Sequence, residues 1–392
     1  MEKLKIELSN ELSSILDFWQ ENTWDCENDG FIGAIDGYNR KDPKANKGII
    51  LNTRILWTFS AACNVLEGEK YAKTAHRAFE YISSYFLDQK NGGVYWELDY
   101  QGNPVNTKKQ VYAQAFAIYA LSEYFRFSKN EQAKKMAIEL FQLLEEHCFD
   151  QVDSGYLEAY DEEWNLLEDL RLSDKDANEK KTMNTHLHVL EAYTNLLKIW
   201  HEDKLRSQLN NLIHIHLDKM LDKSSFHLNL FFDEKWALKS SEYSYGHDIE
   251  AAWLLCEAAE AVCDLKLLKK VRALAVEISE VTLKEGIDID GGLMQEGRSG
   301  KTIDTDKHWW PQAEAIVGFA NAYQISADKK YLNAVEDVWE FTKRRIIDPM
   351  DGEWWWRVNR GGAPYREEEK AGFWKCPYHN GRACIEIINR FS

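Results

Sequence analysis

The feature that most constrains the fold of this chain is a short segment that recurs six times, at residues 30–37, 92–99, 155–161, 226–233, 291–297 and 352–358. Each copy alternates aliphatic or aromatic residues with polar ones and closes on Asp, Gly or Asn, which is typical of a short strand entering a tight turn. Successive copies begin about 60 to 70 residues apart. A period of this size indicates a repeat architecture.

Two segments with helical periodicity lie between consecutive copies. In residues 111–121 and 247–256 the first segment is apolar on nearly every side, whereas the second, at residues 132–147 and 265–283, is charged on one face. A helix that is apolar all round is buried, and an amphipathic helix packs around it. The pattern therefore predicts an inner and an outer helix in each repeat.

One lone helix begins the chain near residues 4–20 and another ends it near residues 378–390. Pairing them gives six hairpins with no helix left over. We therefore predict an all-α fold, an (α/α)6 barrel of six helical hairpins with short β-hairpin loops, formed by residues 1–392 as one catalytic domain. A linear helical solenoid is the structural alternative, but its terminal repeats would need polar caps.

Polar residues recur at the start of each predicted inner helix. If these helices run in one direction, their N-terminal ends meet at one mouth of the barrel and share a pocket. Several of the residues are three or four positions apart, which places them on one helical face. In chain order they are Asn52 and Arg54; Tyr112 and Gln114; Asn184 and His188; His247 and Glu250; Trp310 and Glu314; and His379, Asn380 and Arg382.

Each of these residues also has a structural interpretation. Asn184 suits a helix cap, Arg54 suits a buried ion pair, and an isolated tryptophan such as Trp310 is more often part of the core. A single histidine beside an apolar face is also more often structural than catalytic. Because ionisable residues recur at one phase of the repeat, their joint placement favours a functional pocket.

Charge and aromatic content narrow the ligand class. The chain has 65 acidic and 48 basic residues, a formal net charge of -17, and no block rich in Lys or Arg. Such a surface repels phosphate backbones, so we expect no nucleic-acid partner. The chain also contains 15 Trp, 18 Tyr and 17 Phe. Flat aromatic surfaces stack on the C–H faces of pyranose rings, which favours a sugar ligand.

Membrane, disulfide and metal signals are weak. No apolar run reaches the roughly 18 residues that a membrane span requires, so we expect no membrane partner. The seven cysteines include no C-x-x-C pair, which favours a reducing cytoplasm over a disulfide framework. A metal site built from His188, His247, Glu250 and His379 is conceivable, but no H-E-x-x-H motif supports it. We expect no metal, and a monomer.

Six motifs in the chain resemble the N-acylglucosamine 2-epimerase superfamily, in family order and across nearly the whole length. They lie at residues 48–57, 112–120, 181–193, 244–253, 309–315 and 374–382. Two local departures, Pro311 and His186, remove no group that the chemistry needs. The resemblance implies an (α/α)6 barrel and reversible inversion at C2 of a reducing-end sugar, without a metal or nucleotide cofactor.

The resemblance also implies roles for individual residues. His247 and His379 would be the acid/base pair, with Glu250 supporting His247. Arg54, His188 and Asn184 would hold the reacting end of the opened sugar. The residues that would bind the rest of the sugar are Tyr112, Trp310, Glu314 and Trp374.

The expected substrate is a β-1,4-linked disaccharide such as cellobiose or lactose. A mannobiose epimerase and a monosaccharide aldose–ketose isomerase remain alternatives within the superfamily. Outside it, an inverting glycoside hydrolase would use two carboxylates, such as Glu250 and Glu314. A carbohydrate-binding protein without activity would need the tryptophans but not the histidines.

Overall fold

The computed structural model describes residues 2–66 and 70–392. Twelve α-helices make up about half of this part of the chain. They are α1 (Glu2–Asn22), α2 (Ile49–Val65), α3 (Ala72–Tyr81), α4 (Val111–Ser128), α5 (Glu131–Leu143), α6 (Met183–Leu197), α7 (Asp203–Ile215), α8 (Tyr245–Val262), α9 (Leu265–Val281), α10 (Trp309–Ser326), α11 (Lys329–Phe341) and α12 (Tyr378–Arg390).

The even-numbered helices form a closed inner ring. Each contacts the next one in sequence, and α12 contacts α2. The odd-numbered helices pack outside, each beside one inner helix, and α1 pairs with α12. This closure confirms the predicted (α/α)6 barrel and excludes the open solenoid. Within the described residues, none of the helices combines the length and apolarity needed to cross a bilayer.

The burial pattern explains why the chain divides into two layers. Inner helices such as α2 and α10 bury nearly every residue of their first three turns. Outer helices such as α5 and α11 bury one apolar face and expose charged residues on the other. Five outer helices end in a single π-helical turn, at Ile82–Phe86, Leu144–Cys148, His216–Met220, Thr282–Gly286 and Thr342–Ile346.

Short antiparallel strands link neighbouring repeats at one end of the barrel. Five inner helices directly follow a strand, and that strand pairs with one from the next repeat, as Lys181 does with Phe232. The strands are β1 (Ala34–Asp36), β2 (Lys41–Asp42), β3 (Lys47–Gly48), β4 (Glu97–Leu98), β5 (Pro104–Asn106), β6 (Lys109–Gln110), β7 (Ala159–Tyr160), β8 (Lys181–Thr182), β9 (Phe231–Phe232), β10 (Glu242–Ser244), β11 (Glu296–Arg298), β12 (Lys301–Asp304), β13 (Lys307–His308), β14 (Arg357–Val358) and β15 (Glu369–Ala371). The pairing of β15 with β1 joins the last repeat to the first.

Buried Lys–Asp ion pairs join these strands to the preceding turns. In five repeats of the described chain, a lysine that is at most 1% exposed donates to an aspartate at the start of the turn. Four of the lysines stand two residues before an inner helix, so each pair fixes where that helix begins. The pairs are Lys47–Asp25, Lys109–Asp88, Lys181–Asp150, Lys307–Asp288 and Lys370–Asp348.

The repeat that precedes α8 has no lysine at this position, and His227, from the preceding turn, makes the corresponding contacts. Tyr243 stands at the lysine position, and the His227 ring stacks on it with a centroid separation of 3.5 Å. His227 Nδ1 lies 2.7 Å from Asp248 Oδ2, and its Nε2 lies 3.3 Å from Glu285 Oε2. Burial opposes protonation of His227, but these two carboxylates raise its pKa above the usual value. The raised pKa favours the protonated form of His227, and its contact with Asp248 anchors the first turn of α8.

Candidate active site

The N-terminal ends of the inner helices enclose a cavity of about 500 Å³. This volume lies within the range of about 300–1,000 Å³ that is typical of small-molecule sites. Of the ten residues predicted for the site, nine line the cavity: Arg54, Tyr112, Asn184, His188, His247, Glu250, Trp310, Trp374 and His379. The tenth, Glu314, lies behind it and is fully buried.

His379 and Glu314 form a hydrogen-bonded pair at the floor of the cavity. His379 Nδ1 lies 2.6 Å from Glu314 Oε1, so the other ring nitrogen, Nε2, is left for the ligand. Burial lowers the pKa of His379 well below 6.5, with Arg54 and Arg382 adding to the effect. His379 is therefore neutral, and its carboxylate partner fixes its orientation, an arrangement suited to a general base.

Glu314 was predicted to bind sugar, and the structure contradicts that role. Its Oε1 accepts from His379 and from Arg382 at 2.7 Å, and its Oε2 accepts from Trp253 Nε1 at 3.0 Å. Both oxygens are thus saturated by protein donors. The spacing of Glu314 from Trp310 placed it at the correct helix turn, but only the tertiary structure shows that it points at another helix.

His188 has a carboxylate partner of its own, Glu191, which was not among the predicted residues. His188 Nδ1 lies 3.0 Å from Glu191 Oε2 on the same helix. The three-residue spacing was a sequence signal that could have identified the pair. Burial lowers the pKa of His188, so it too is neutral. Burial opposes ionisation of Glu191, yet Arg382 and His188 together lower its pKa to about 2.

His247 lies against the Trp310 ring, with a centroid separation of 4.7 Å, and Trp310 in turn lies 5.7 Å from His379. Burial lowers the pKa of His247 to about 3. The prediction that Glu250 supports His247 is wrong, because the two side chains are not hydrogen-bonded to each other. His247 Nδ1 has no hydrogen-bond partner among the described residues, because Glu250 turns towards Arg382 instead, with its Oε1 2.5 Å from Nη2.

Glu250, Glu314 and His379 place ligand atoms within 4.8 Å of one another, a spacing that would suit a cation. Arg382 already holds that position. Its Nη2 donates to both Glu250 and Glu314, at 2.5 and 2.7 Å. A guanidinium of the chain itself therefore fills the position between the two carboxyl groups, so their geometry does not favour a metal ion.

Arg54 provides the positive charge nearest the cavity wall. Its Nη2 lies 2.7 Å from the Tyr112 hydroxyl, and its guanidinium lies over the Phe116 and Tyr378 rings at 4.3 and 5.0 Å. These contacts hold the group in one orientation. Cys376 also accepts from Nη1, at 3.7 Å.

Six buried polar atoms around the cavity have no hydrogen-bond partner among the described residues. They are Arg54 Nε, Asn184 Oδ1, His247 Nδ1, Glu250 Oε2, Gln295 Oε1 and Trp309 Nε1. Burial raises the pKa of Glu250 well above 4.5, so its carboxyl group is protonated and can donate a hydrogen bond. Because buried polar groups are nearly always paired in functional states, this set is suited to a ligand rich in hydroxyl groups.

Three residues from the predicted helix starts serve the fold instead. Gln114 Oε1 accepts from Val94 N at 2.8 Å, and Asn52 Nδ2 donates to Gly48 O at 2.8 Å. Asn380 Nδ2 donates to Glu353 Oε1 at 2.7 Å. These short contacts hold the turns against the inner helices.

A second cavity of about 490 Å³ adjoins the first and shares Asn184, His247 and Gln295 with it. Leu172, Ser173, Lys175 and Asp176 line both cavities. The segment that carries them is tied down by Gln110 Nε2, which donates to Leu170 O at 3.0 Å, and by Asn178. The cleft is therefore long enough for a ligand larger than one sugar ring.

Comparison with known proteins identifies the family. The model of the N-acylglucosamine 2-epimerase (GlcNAc 2-epimerase) family matches residues 30–383. The chain is 48% identical to the cellobiose 2-epimerase of Bacteroides fragilis over 389 residues, covering 99% of each sequence. It is 39% identical to the cellobiose 2-epimerase of Dictyoglomus turgidum, covering 99% of this chain and 98% of that protein.

The structure gives the same result. The cellobiose 2-epimerase of Bacillus thermoamylovorans superimposes with a TM-score of 0.94 at 41% identity, covering 100% of both chains. The resemblance inferred from the six motifs is thus confirmed. The chain belongs to the N-acylglucosamine 2-epimerase family, and it is a carbohydrate epimerase or isomerase.

Proposed function

We propose that this protein catalyses reversible epimerisation at C2 of the reducing-end glucose of a β-1,4-linked disaccharide, with cellobiose and lactose as substrates. The observation that carries the proposal is the convergence of two neutral histidines, a fixed arginine and unpaired polar atoms in one cavity. A disaccharide substrate is supported by the similarity to proteins that are named cellobiose 2-epimerases. We also propose that the chain works as one catalytic domain, as a monomer and in the cytoplasm.

The first step is opening of the sugar ring, which requires a proton on the ring oxygen. Glu250 is suited to provide it, because burial keeps this carboxyl group protonated and its Oε2 has no partner among the described residues. Transfer of the O1 proton to the neutral imidazole of His247 completes the opening and gives an aldehyde at C1. That aldehyde acidifies the neighbouring C2–H bond.

The second step is removal of the C2 proton by His379 Nε2, which gives an enediolate. The imidazolium that forms is stabilised by Glu314, hydrogen-bonded at Nδ1. Arg54 stabilises the charge that develops on O1. Because the Arg54 guanidinium is already oriented by Tyr112 and by aromatic rings, this stabilisation requires no reorganisation.

A proton returned to the opposite face of C2 inverts that carbon. Either His247 supplies it from the imidazolium formed when it took the O1 proton, or the intermediate rotates about C2–C3 and the His379 imidazolium returns it. The position of His247 beside Trp310, which also contacts His379, is compatible with both routes. Asn184 and His188 hold the reacting end through its hydroxyl groups.

The second sugar ring is proposed to stack on the aromatic side of the cleft. Trp374 and Trp310 are both half-buried and line the cavity, and Trp356 lies beside them. Their flat surfaces fit the C–H faces of a pyranose. A cavity of about 500 Å³ that continues into a second one accommodates both rings.

The geometry disfavours the glycoside hydrolase alternative. An inverting hydrolase needs its two carboxyl groups about 6.5–9.5 Å apart, on opposite sides of the scissile bond. Here Glu250 and Glu314 have oxygens within 4.8 Å of each other, and Arg382 donates to both. No room for a water and a glycosidic bond remains between them.

Analysis of the reducing end after incubation with cellobiose tests the proposal. Acid hydrolysis of the product, without prior reduction, should release mannose in addition to glucose. Free glucose before hydrolysis would instead identify a hydrolase. A ketose as the first and main product would identify an aldose–ketose isomerase, and unchanged cellobiose would refute the proposed substrate.

A further inference from the structure

Arg382 is the most highly connected buried side chain of the barrel. It lies on the second turn of α12 and is 1% exposed. Its guanidinium donates to Glu191, Glu250 and Glu314, which belong to three other inner helices. The side chain thus joins four of the six inner helices beneath the cavity, without lining the cavity itself.

Two of these three carboxylates each hold a histidine of the site. Glu191 Oε2 lies 3.0 Å from His188 Nδ1, and Glu314 Oε1 lies 2.6 Å from His379 Nδ1. Burial raises the pKa of Glu314, and Arg382 acts against that shift by favouring the ionised form. An ionised carboxylate can only accept at these contacts, so each ring then carries its proton on Nδ1. Each ring then presents an unprotonated Nε2.

Three carboxyl groups in one dry region would take up protons if no cation were present. A protonated carboxyl group donates, and a neutral histidine beside it would accept at Nδ1 and carry its proton on Nε2. In that tautomer His379 has no lone pair at Nε2 for the C2 proton. The charge of the Arg382 guanidinium therefore determines whether His379 has an unprotonated Nε2 that can accept the C2 proton.

We propose that Arg382 is a positioning residue: as a fixed internal cation, it keeps Glu191 and Glu314 as acceptors, so that His188 and His379 both present unprotonated Nε2 atoms to the sugar. The proposal rests on the proposed function for the identity of the base, but the tautomers themselves do not depend on any substrate.

The surroundings of Arg382 favour an arginine over a lysine. Its planar guanidinium lies between the Trp253 and Tyr378 rings, with its central carbon 4.7 and 4.3 Å from their centroids. From there the two terminal nitrogens reach carboxylates on different helices. A lysine would bring the same charge but only one nitrogen atom. It should therefore restore the ionisation of the carboxylates, but it should hold them less well in their wild-type positions.

The first test compares pH–rate profiles of Arg382→Gln, Arg382→Lys and the wild type. Loss of the neighbouring cation should raise the pKa of the Glu314 carboxyl group by about 1–3 units. The acidic limb of kcat should therefore move to higher pH by that amount in Arg382→Gln, with activity partly recovering in alkaline buffer. In Arg382→Lys the limb should return towards its wild-type position. Unchanged limbs with a uniformly lower kcat would reduce Arg382 to a structural role and overturn the proposal.

Arg390→Gln is the matched control. Arg390 lies on the same helix two turns further on and pairs with Glu386 and Glu257 at the opposite end of the barrel. It should leave the shape of the pH profile unchanged. An equal shift in Arg390→Gln would show that any loss of positive charge has this effect, which would contradict a specific role for Arg382.

The second test is ¹⁵N NMR of the imidazole nitrogens in the wild-type protein without substrate. It needs no variant and no turnover, so it remains decisive if Arg382→Gln fails to fold or if cellobiose is not a substrate. The proposal predicts the Nδ1–H tautomer for His188 and His379 at neutral pH. An Nε2–H tautomer at His379 would overturn it.

Discussion

Replacement of Glu314 by glutamine distinguishes the role that the structure supports from the one that the sequence suggested. Gln has the shape of Glu but no charge, so it cannot stabilise the imidazolium that forms when His379 takes the C2 proton. A hydrogen bond to a charged group contributes about 1.5–3 kcal/mol. If that contribution is lost only in the transition state, kcat should fall about 10- to 150-fold.

KM should change little, because Glu314 is fully buried and does not touch the cavity. Initial rates over a range of cellobiose concentrations separate the two parameters. Trp253→Phe is the matched control, since it removes the 3.0 Å bond to the other carboxylate oxygen of Glu314 and keeps an aromatic ring beside Arg382. It should lower kcat much less than Glu314→Gln does. A raised KM with an unchanged kcat in Glu314→Gln would refute the reasoning and restore the sugar-binding role.

Further predictions concern the second histidine, the strand anchors, the pH dependence of stability and metal ions. His247→Ala should lower kcat by about 10²–10⁴-fold in the same assay, because a general acid/base group is lost, and should leave the circular dichroism spectrum unchanged. Lys181→Met should lower the free energy of unfolding by about 3–5 kcal/mol in urea titrations, because it leaves a buried carboxylate without its partner. The raised pKa of His227 should make its stabilising contribution complete below pH ~6.5 and lose it as the pH rises through the raised folded-state value, so the melting-temperature difference between wild type and His227→Gln should shrink from pH 6 to pH 8. Dialysis against EDTA should leave the rate unchanged, because Arg382 stands between the only carboxylates that are grouped for a cation among the described residues.

Each of these predictions can fail in a specific way. Near-normal turnover by His247→Ala would leave a single-histidine mechanism. Lys135→Met, which replaces a lysine that is 76% exposed, is the control for Lys181→Met. Equal losses in both would show that the buried pair contributes nothing of its own. A melting-temperature difference that grows with pH would contradict a protonated His227. Inhibition by EDTA that added metal reverses would reopen the metal hypothesis.

The ring of helices could be predicted from the sequence because it follows from two periodicities. The spacing of the turns set the number of repeats, and the difference between all-round and one-sided hydrophobicity separated inner from outer helices. The same phase placed nine of the predicted residues on one cavity. Even the last helix has the predicted bounds, Tyr378–Arg390.

Side-chain partners could not be read from the same pattern. Helical phase puts Glu250 near His247 and Glu314 near Trp310, but it does not tell which neighbouring helix a long side chain reaches. Both carboxylates turn to Arg382, one of them also to His379, because a buried guanidinium offers several donors at once. The Lys–Asp anchors were detectable, since Lys47, Lys109, Lys181 and Lys307 share one position before their helices.

In the proposed reaction, a proton is removed from C2 of the sugar and returned to its other face. Proton NMR of cellobiose incubated with the protein in D₂O, followed until the epimers reach equilibrium, tests it directly. Deuterium should appear at C2 of the reducing-end ring as a mannose-type anomeric signal grows, and His379→Ala should suppress both changes. A mannose-type product that contains no deuterium at C2 would restrict the account to the route in which His379 returns the same proton. A product that forms as fast in His379→Ala as in the wild type would contradict the account.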